Sequence, residues 1–429
     1  MTLTWLQIVR LGMVQMCLGA IVVLTSSTLN RLMVVELALP AILPGFLVAL
    51  HYAIQITRPS WGFLSDTRGQ RTRFIIGGMA VLALGGYAAA TGVVVLENSY
   101  WAGLGISILA YALIGVGVAA SGTSLLALLA TATAPDRRAA AATITWLMMI
   151  AGIAVTAGTV GQFLDPYTPA LLMKIVTIVT VGAVAVTTLA VWGIERRVIA
   201  QREPDEMPFW QGFKEVWSER RARIFTLFVF LSMSAYFMQE LILEPFSGLV
   251  FDFTPGQSTS LSGAQHGGVF LGMIVVGVGS SVLRIGALRT WVIAGCLGSA
   301  AALVTISSLG NFGSHLPLTP AVIAMGFFNG MFTVAAISAM MALAGEGRDA
   351  REGTRMGLWG AAQAIAAGFG GLLGAAAADS LRQIMEDAPA FGFVFLTEAV
   401  LFVLSAWMAL RIMDSNKPST ENAGLVPGE

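Results

Sequence analysis

Long apolar stretches alternate with short polar ones along almost the whole chain of 429 residues. Crossing a bilayer core of ~30 Å takes about 20 apolar residues in a helix. Twelve stretches meet that need, some with little to spare: 11–29, 41–57, 74–96, 102–131, 143–163, 169–192, 224–250, 264–283, 290–309, 318–344, 356–378 and 390–412. The pattern predicts an all-α membrane protein with twelve transmembrane helices in two six-helix halves.

The polar connections carry a second signal. With the N-terminus placed inside, basic residues fall on that side at nearly every turn of the chain. Only Arg31, Lys174 and Arg382 of the 24 Lys and Arg fall on the other side. Such a bias orients a membrane protein with its basic loops in the cytoplasm. An even number of spans then puts both termini there. The longest polar insert, 193–223, separates an N-terminal half (1–192) from a C-terminal half (224–413), and 414–429 reads as a disordered cytoplasmic tail. Part of the insert, "PFWQGFKEVWSERRAR", fits either an amphipathic surface helix or a solvated linker.

Composition agrees with the pattern. The chain is 56% hydrophobic and 11% charged, with a mean hydropathy of +0.79. Soluble domains carry roughly 25% charged residues. The formal net charge of zero gives no overall basic excess for nucleic acid. Cys17 and Cys296 lie far apart in apolar text and read as small buried residues, not a disulfide or a metal site. The first apolar run has no small-residue cleavage site and reads as a retained helix.

The segment between spans two and three, "RPSWGFLSDTRGQRTR", carries Gly62, Asp66, Gly69, Arg71 and Arg73. It resembles the loop signature of the major facilitator superfamily, and so implies that fold. Glycine permits the tight turn, and the aspartate can cap a helix end or pair with an arginine across the halves as a latch. The matching loop of the second half, "SSVLRIGALRTW", keeps Arg284 and Arg289 but lacks the acid. Four further stretches narrow the match: "RPSWGFLSD", "TWLMMIAG", "QELILEPFSG" and "REGTRMGLWGAAQAIAAGFGG". Together they resemble the PucC-type, bacteriochlorophyll-delivery branch of that superfamily, the light-harvesting complex assembly proteins of phototrophic bacteria. The resemblance runs from the second span to the eleventh. It implies a multi-pass protein of the bacterial intracytoplasmic photosynthetic membrane, surrounded by lipid, with bacteriochlorophyll or a related tetrapyrrole as cargo. Its implied partners are bacteriochlorophyll synthase and antenna polypeptides.

Ionisable groups at membrane depth are costly and mark functional positions by default. At 1.5 Å per residue from Ile224, Glu240 lies ~24 Å in and Glu244 ~30 Å in, near the outer edge. Four residues apart, they share a helix face. Pro245 disfavours helix at Glu244, so the span is expected to break there, before Gly248. Glu240 then serves a ligand or a helix–helix latch, and Glu244 a ligand or the loop. His51 and Gln55 share a face of span two, where imidazole is a suitable axial ligand for the magnesium of a bacteriochlorophyll. A helix–helix hydrogen bond is the competing reading for His51. His266, near the start of span eight, is a further ligand candidate. Glu398, in span twelve, either pairs across helices or is protonated.

Three function classes compete. One is a pigment-handling assembly factor, and another is an enzyme, for instance the prenyl-transferring bacteriochlorophyll synthase itself, with a non-catalytic partner of that synthase as its weaker form. The third is a proton-coupled transporter, although acid–arginine pairs on spans one and four are not evident in the text. Catalysis is not expected. The aspartates are scattered, with none within four residues of another, where a magnesium–diphosphate site needs several oxygens at short range.

Overall fold

The computed structural model describes residues 3–58, 60, 61, 64, 71–134, 137–195, 217–281, 283, 285–312, 317–345 and 352–412. Twelve helices run through them: α1 (Trp5–Glu36), α2 (Ile42–Thr57), α3 (Arg71–Leu96), α4 (Tyr100–Ala132), α5 (Arg138–Phe163), α6 (Pro169–Val191), α7 (Arg220–Phe251), α8 (Pro255–Ser281), α9 (Leu288–Phe312), α10 (Leu318–Gly345), α11 (Glu352–Arg382) and α12 (Asp387–Ile412). Eleven are long and apolar enough to cross a membrane, and α2 is a shorter apolar helix. The described residues contain no strand. Successive helices run in opposite directions, so the starts of α1 and α7 share one face of the bundle with the end of α12. That face is termed the terminal face here, and the opposite one the far face.

These helices are apolar nearly all round, so hydrophobicity alone does not choose the side that packs. The core is assembled in two clusters. One joins α1–α6 through residues such as Leu11, Leu18, Met79, Leu82 and Ile114. The other joins α7–α12 and is rich in aromatic rings, among them Phe228, Phe246, Phe332, Phe395 and Phe402. Large apolar side chains such as Leu109, Ile178 and Leu189 point outward, as a lipid-facing surface requires.

Two helices, α1 and α8, begin furthest ahead of the hydropathy pattern, for one local reason. Thr4 and Gln7 form a capping box that starts α1 at Trp5. Thr254 and Gln257 repeat it at the start of α8, where the Thr254 N–H donates to Gln257 at 3.0 Å and the Gln257 N–H donates back at 3.2 Å, with Pro255 in the first turn. Each box satisfies backbone donors that a helix start leaves open, so the helix reaches into polar text. His266 therefore lies mid-helix, not near the start of span eight. At its other end α1 continues to Glu36 through two π-helical turns, Leu24–Thr28 and Leu32–Glu36. Arg31, expected in an outer loop, is inside this helix and 2% exposed.

The expected break at Pro245 is absent: α7 runs unbroken from Arg220 to Phe251. It ends where Asp252 takes a left-handed conformation (φ 56°) and the Asp252 N–H returns to the Ser247 carbonyl.

Of the loop signature, Gly62, Asp66 and Gly69 lie outside the described residues, as do 196–216 of the insert and the tail from 413. Arg71 and Arg73 open α3. The carboxylate of Glu195, beyond the end of α6, accepts the N–H groups of Arg71 (2.8 Å) and Thr72 (3.0 Å). A carboxylate on two free donors at a helix N-terminus is a favourable cap. The Arg71 guanidinium donates to the Ala127 carbonyl at 3.2 Å, while Arg73 is exposed. These contacts fasten α3, α4 and α6 within one half.

The halves meet most closely along α5 and α8. A Cβ placed on Gly263 would lie 2.5 Å from the backbone nitrogen of Gly158, and one on Gly256 2.5 Å from the Gly161 carbonyl oxygen. Only glycine permits that approach. Gly263→Val should force the helices apart and lower stability by about 1–3 kcal/mol, read as a lower thermal midpoint in detergent. An unchanged midpoint would mean the seam is not close-packed.

Candidate functional site

The far half of the inter-half seam is built from a polar run in α1, "LTSSTLNR" (24–31), whose residues are all buried. The Thr25 and Ser26 hydroxyls bond back to the Val22 carbonyl, and the Tyr111 hydroxyl of α4 donates to the Thr25 carbonyl at 2.6 Å. Such side-chain competition for backbone groups loosens a helix, which suits a π turn. The run faces α7 and α8. Ser27 donates to the Glu244 carboxylate and lies 2.9 Å from Ser262. Thr28 meets Thr259 at 3.2 Å. Arg31 bonds Ser258 at 3.3 Å, the Phe253 carbonyl at 2.6 Å and Glu36 at 2.5 Å. Gly248 makes room for it: a Cβ there would stand 3.2 Å from the guanidinium.

Asn30 explains why α7 does not break. Proline at 245 has no N–H, so the carbonyl of Leu241 loses its helical donor. The Asn30 side-chain amide donates to that carbonyl at 2.7 Å. A backbone group freed by proline at membrane depth must find a partner in the protein, and here the partner comes from the other half.

Two carboxylates extend the seam by capping helices across the halves. Asp379 of α11 accepts the N–H groups of Ala41 (2.9 Å) and Ile42 (2.7 Å) at the start of α2. Asp165, just past α5, accepts from the Thr254 hydroxyl (2.5 Å) and the Gly256 N–H (3.1 Å) at the start of α8. The two arrangements exchange the roles of the halves. All these bonds lie toward the far face.

Nearer mid-membrane the seam changes character. His51 of α2 sits 2.7 Å from the Gln55 amide nitrogen, and Arg58 donates to the Gln55 oxygen. The His51 ring stacks on Tyr52 at 4.5 Å, and Tyr52 meets Phe237 of α7 at 5.9 Å. Phe237 in turn contacts Tyr236 at 5.1 Å. Glu240 is half-buried beside these rings, within electrostatic reach of Tyr52 and Tyr236. Among the described residues nothing donates a hydrogen bond to it.

The five ligand candidates thus fall into separate places. His51 and Gln55 bond each other. Glu240 lies against α2. Glu244 is 2% exposed in the Ser27 seam, with one oxygen unpartnered, and not at a membrane-edge loop as expected. His266 bonds the Ser262 carbonyl at 2.9 Å, one turn from the same seam. No hydrogen bond joins His51 to Glu240, Glu244 or His266. Glu398 of α12 has no cross-helix partner: both oxygens are buried without one. The Arg31–Glu36 pair, with its polar run, is hidden from the sequence because polarity after an apolar stretch reads as the end of a span. The density of Ser, Thr and Asn after a long apolar stretch was the available signal. Among the described residues no group of three His, Cys, Asp or Glu could hold a metal ion.

Twelve helices in two six-helix clusters define a membrane fold, that of the major facilitator superfamily. The chain superposes on the nucleoside transporter NupG with a TM-score of 0.65 at 15% identity, over 96% of this chain and 100% of that one. It superposes on a bacterial homologue of the human lysosomal transporter Spinster, inward-facing and occupied, with a TM-score of 0.67 at 13% identity, over 95% and 96% of the two chains. Within that fold the chain belongs to the PUCC protein family, whose model matches residues 28–417. It is 66% identical over 417 residues to the bacteriochlorophyll synthase 44.5 kDa chain of Rhodobacter capsulatus, covering 96% of both proteins. It is 30% identical over 443 residues to protein PucC of Cereibacter sphaeroides, covering 95% of this chain and 92% of that protein. It is a multi-pass membrane protein.

If Asn30 replaces the donor that Pro245 lacks, Asn30→Ala should cost about 1–3 kcal/mol by leaving the Leu241 carbonyl bare. The same change beside Pro245→Ala, which restores the N–H, should cost clearly less. Denaturant unfolding of the four proteins of this cycle checks it. Equal costs in both backgrounds would break the link.

Proposed function

We propose that this chain handles bacteriochlorophyll or a related tetrapyrrole in the membrane, assisting its delivery and the assembly of light-harvesting complexes. The observation that carries the reading is Glu240: a half-buried carboxylate between the halves, unpartnered among the described residues and edged by Tyr52, Tyr236 and Phe237. Aromatic faces suit a flat macrocycle. A carboxylate oxygen suits either its hard magnesium or a polar substituent. The His51 nitrogen that faces Gln55 is engaged, so Glu240 is the better first contact.

The names of the relatives support the reading from a second direction. The 66% identical protein is called a chain of bacteriochlorophyll synthase. That favours a companion reading, in which this chain is a non-catalytic partner of the synthase and hands its product to antenna polypeptides. We assign it no catalytic residue. The basic loops put both termini in the cytoplasm, and the implied location is the photosynthetic inner membrane.

The protein purified gently from a phototrophic host should carry bacteriochlorophyll or a precursor in its absorption spectrum. Glu240→Gln should lower the pigment-to-protein ratio about tenfold, the loss of one charge-assisted contact of about 1.4 kcal/mol, with an unchanged thermal midpoint. A colourless wild-type preparation would remove the ligand-binding form of the proposal. Full pigment retention in the variant would return Glu240 to a structural role.

A further inference from the structure

The C-terminal half contains polar groups that the inter-half site does not use. Gln239 of α7, Asn329 of α10 and Glu398 of α12 are each 0% exposed. Both carboxylate oxygens of Glu398, both amide atoms of Gln239 and the amide nitrogen of Asn329 have no partner. Each stands on the face of its helix that carries residues of this half's core. Gln239 is three and seven residues before Ile242 and Phe246, Asn329 three before Phe332, and Glu398 three after Phe395 and four before Phe402. All five of those neighbours belong to the same core. Side chains three, four or seven apart share a helix face.

Aromatic layers close the space on either side. Toward the far face Phe246 meets Phe395 at 5.0 Å, and toward the terminal face Phe332 meets Phe402 at 5.9 Å and Phe228 at 6.4 Å. Asn329 and Glu398 each stand one turn beyond the Phe332–Phe402 contact, on helices that run the same way. The Ser299 hydroxyl of α9 donates to the Asn329 oxygen at 2.7 Å, and the Asn329 NH2 group has no partner among the described residues.

We propose that this half encloses an internal water site at mid-membrane, held by Glu398, Gln239 and Asn329, with Glu398 present as the carboxylic acid. The chemistry of the open valences selects the occupant. Two NH2 groups ask for an acceptor, while the carboxyl and the Gln239 oxygen can take a donor. Water satisfies both kinds and needs two to four such partners. A metal ion would satisfy the oxygens and face the NH2 groups unfavourably. Among the described residues no counter-ion pairs with Glu398: α10 has no charged residue, and the carboxylates Glu240 and Glu244 of α7 turn to the other half. Arg289, Asp379, Arg382, Asp387 and Arg411 stand at the ends of their helices. An isolated buried carboxylate is too costly there, so the group keeps its proton.

The test uses the full chain in detergent or nanodiscs. X-ray pulses convert bound water to hydroxyl radicals in place, and these oxidise nearby methionine. Met325 lies one turn before Asn329 in this core, and Met79 lies in the core of the other half; both are 0% exposed. Met325 should oxidise several-fold faster than Met79 in the wild-type protein, and equal rates overturn the proposal. In the double variant Gln239→Leu with Asn329→Leu, Met325 should fall to the rate of Met79. An unchanged excess there would show that these side chains do not hold the water. Infrared spectra should show a protonated carboxyl band that disappears in Glu398→Gln, and its absence would remove the carboxylic acid from the site. If the leucine variant fails to fold, the wild-type comparison decides alone.

Discussion

A side-chain amide of Asn30 occupies the place of a missing backbone proton in α7, and much of the molecule follows from that bond. Proline at 245 leaves the Leu241 carbonyl without its donor, in a position with no water to supply one. Satisfying it from α1 brings the first helix of one half against the first helix of the other. Once there, Ser27, Thr28 and Arg31 find partners on α7 and α8, and α1 can remain helical through text that would otherwise be a loop. The π turns follow from the same need, since they bring successive polar side chains of α1 onto the seam.

The seam divides by depth into two kinds of polarity. Toward the far face Ser27, Thr28, Asn30 and Arg31 are paired across the halves, and Asp165 and Asp379 each cap a helix of the opposite half. Such bonds are all made or all broken when two rigid bodies separate, so they favour two discrete arrangements over a continuum. Near mid-membrane the groups are paired within one helix, as His51 with Gln55, or left open, as Glu240. Burying an open carboxylate costs stability, and proteins keep such groups where a ligand or a proton completes them. The closed seam and the open carboxylate are therefore complementary: one holds the halves, and the other lies beside Tyr52 of the opposite half.

Much of the architecture was legible from hydropathy alone. Twelve apolar stretches became twelve helices because a bilayer admits little else to a segment of that length. The "EPFSG" motif lies where α7 meets α1, so it marks a contact between halves as well as a relationship. The ends of helices were less legible. Capping boxes at Thr4 and Thr254 and a run of buried hydroxyls extended α1 and α8 into text that looked like loop. Pro245 misled because proline's effect on a helix depends on who receives the freed carbonyl, and Asn30 is 211 residues away in sequence.

The chain by itself thus determined the membrane class, the helix count, the two-half plan and the residue types that are costly in lipid. Tertiary structure alone decided which of those costly residues are satisfied. Glu244 and Arg31 acquired partners beyond their own helix, while among the described residues Glu240 and Glu398 did not. The reason is physical: hydrophobicity and helix length are local properties summed along the chain. Whether a buried polar atom has a partner depends on which helix is packed against it, and on these evenly apolar helices no sequence periodicity encodes that choice.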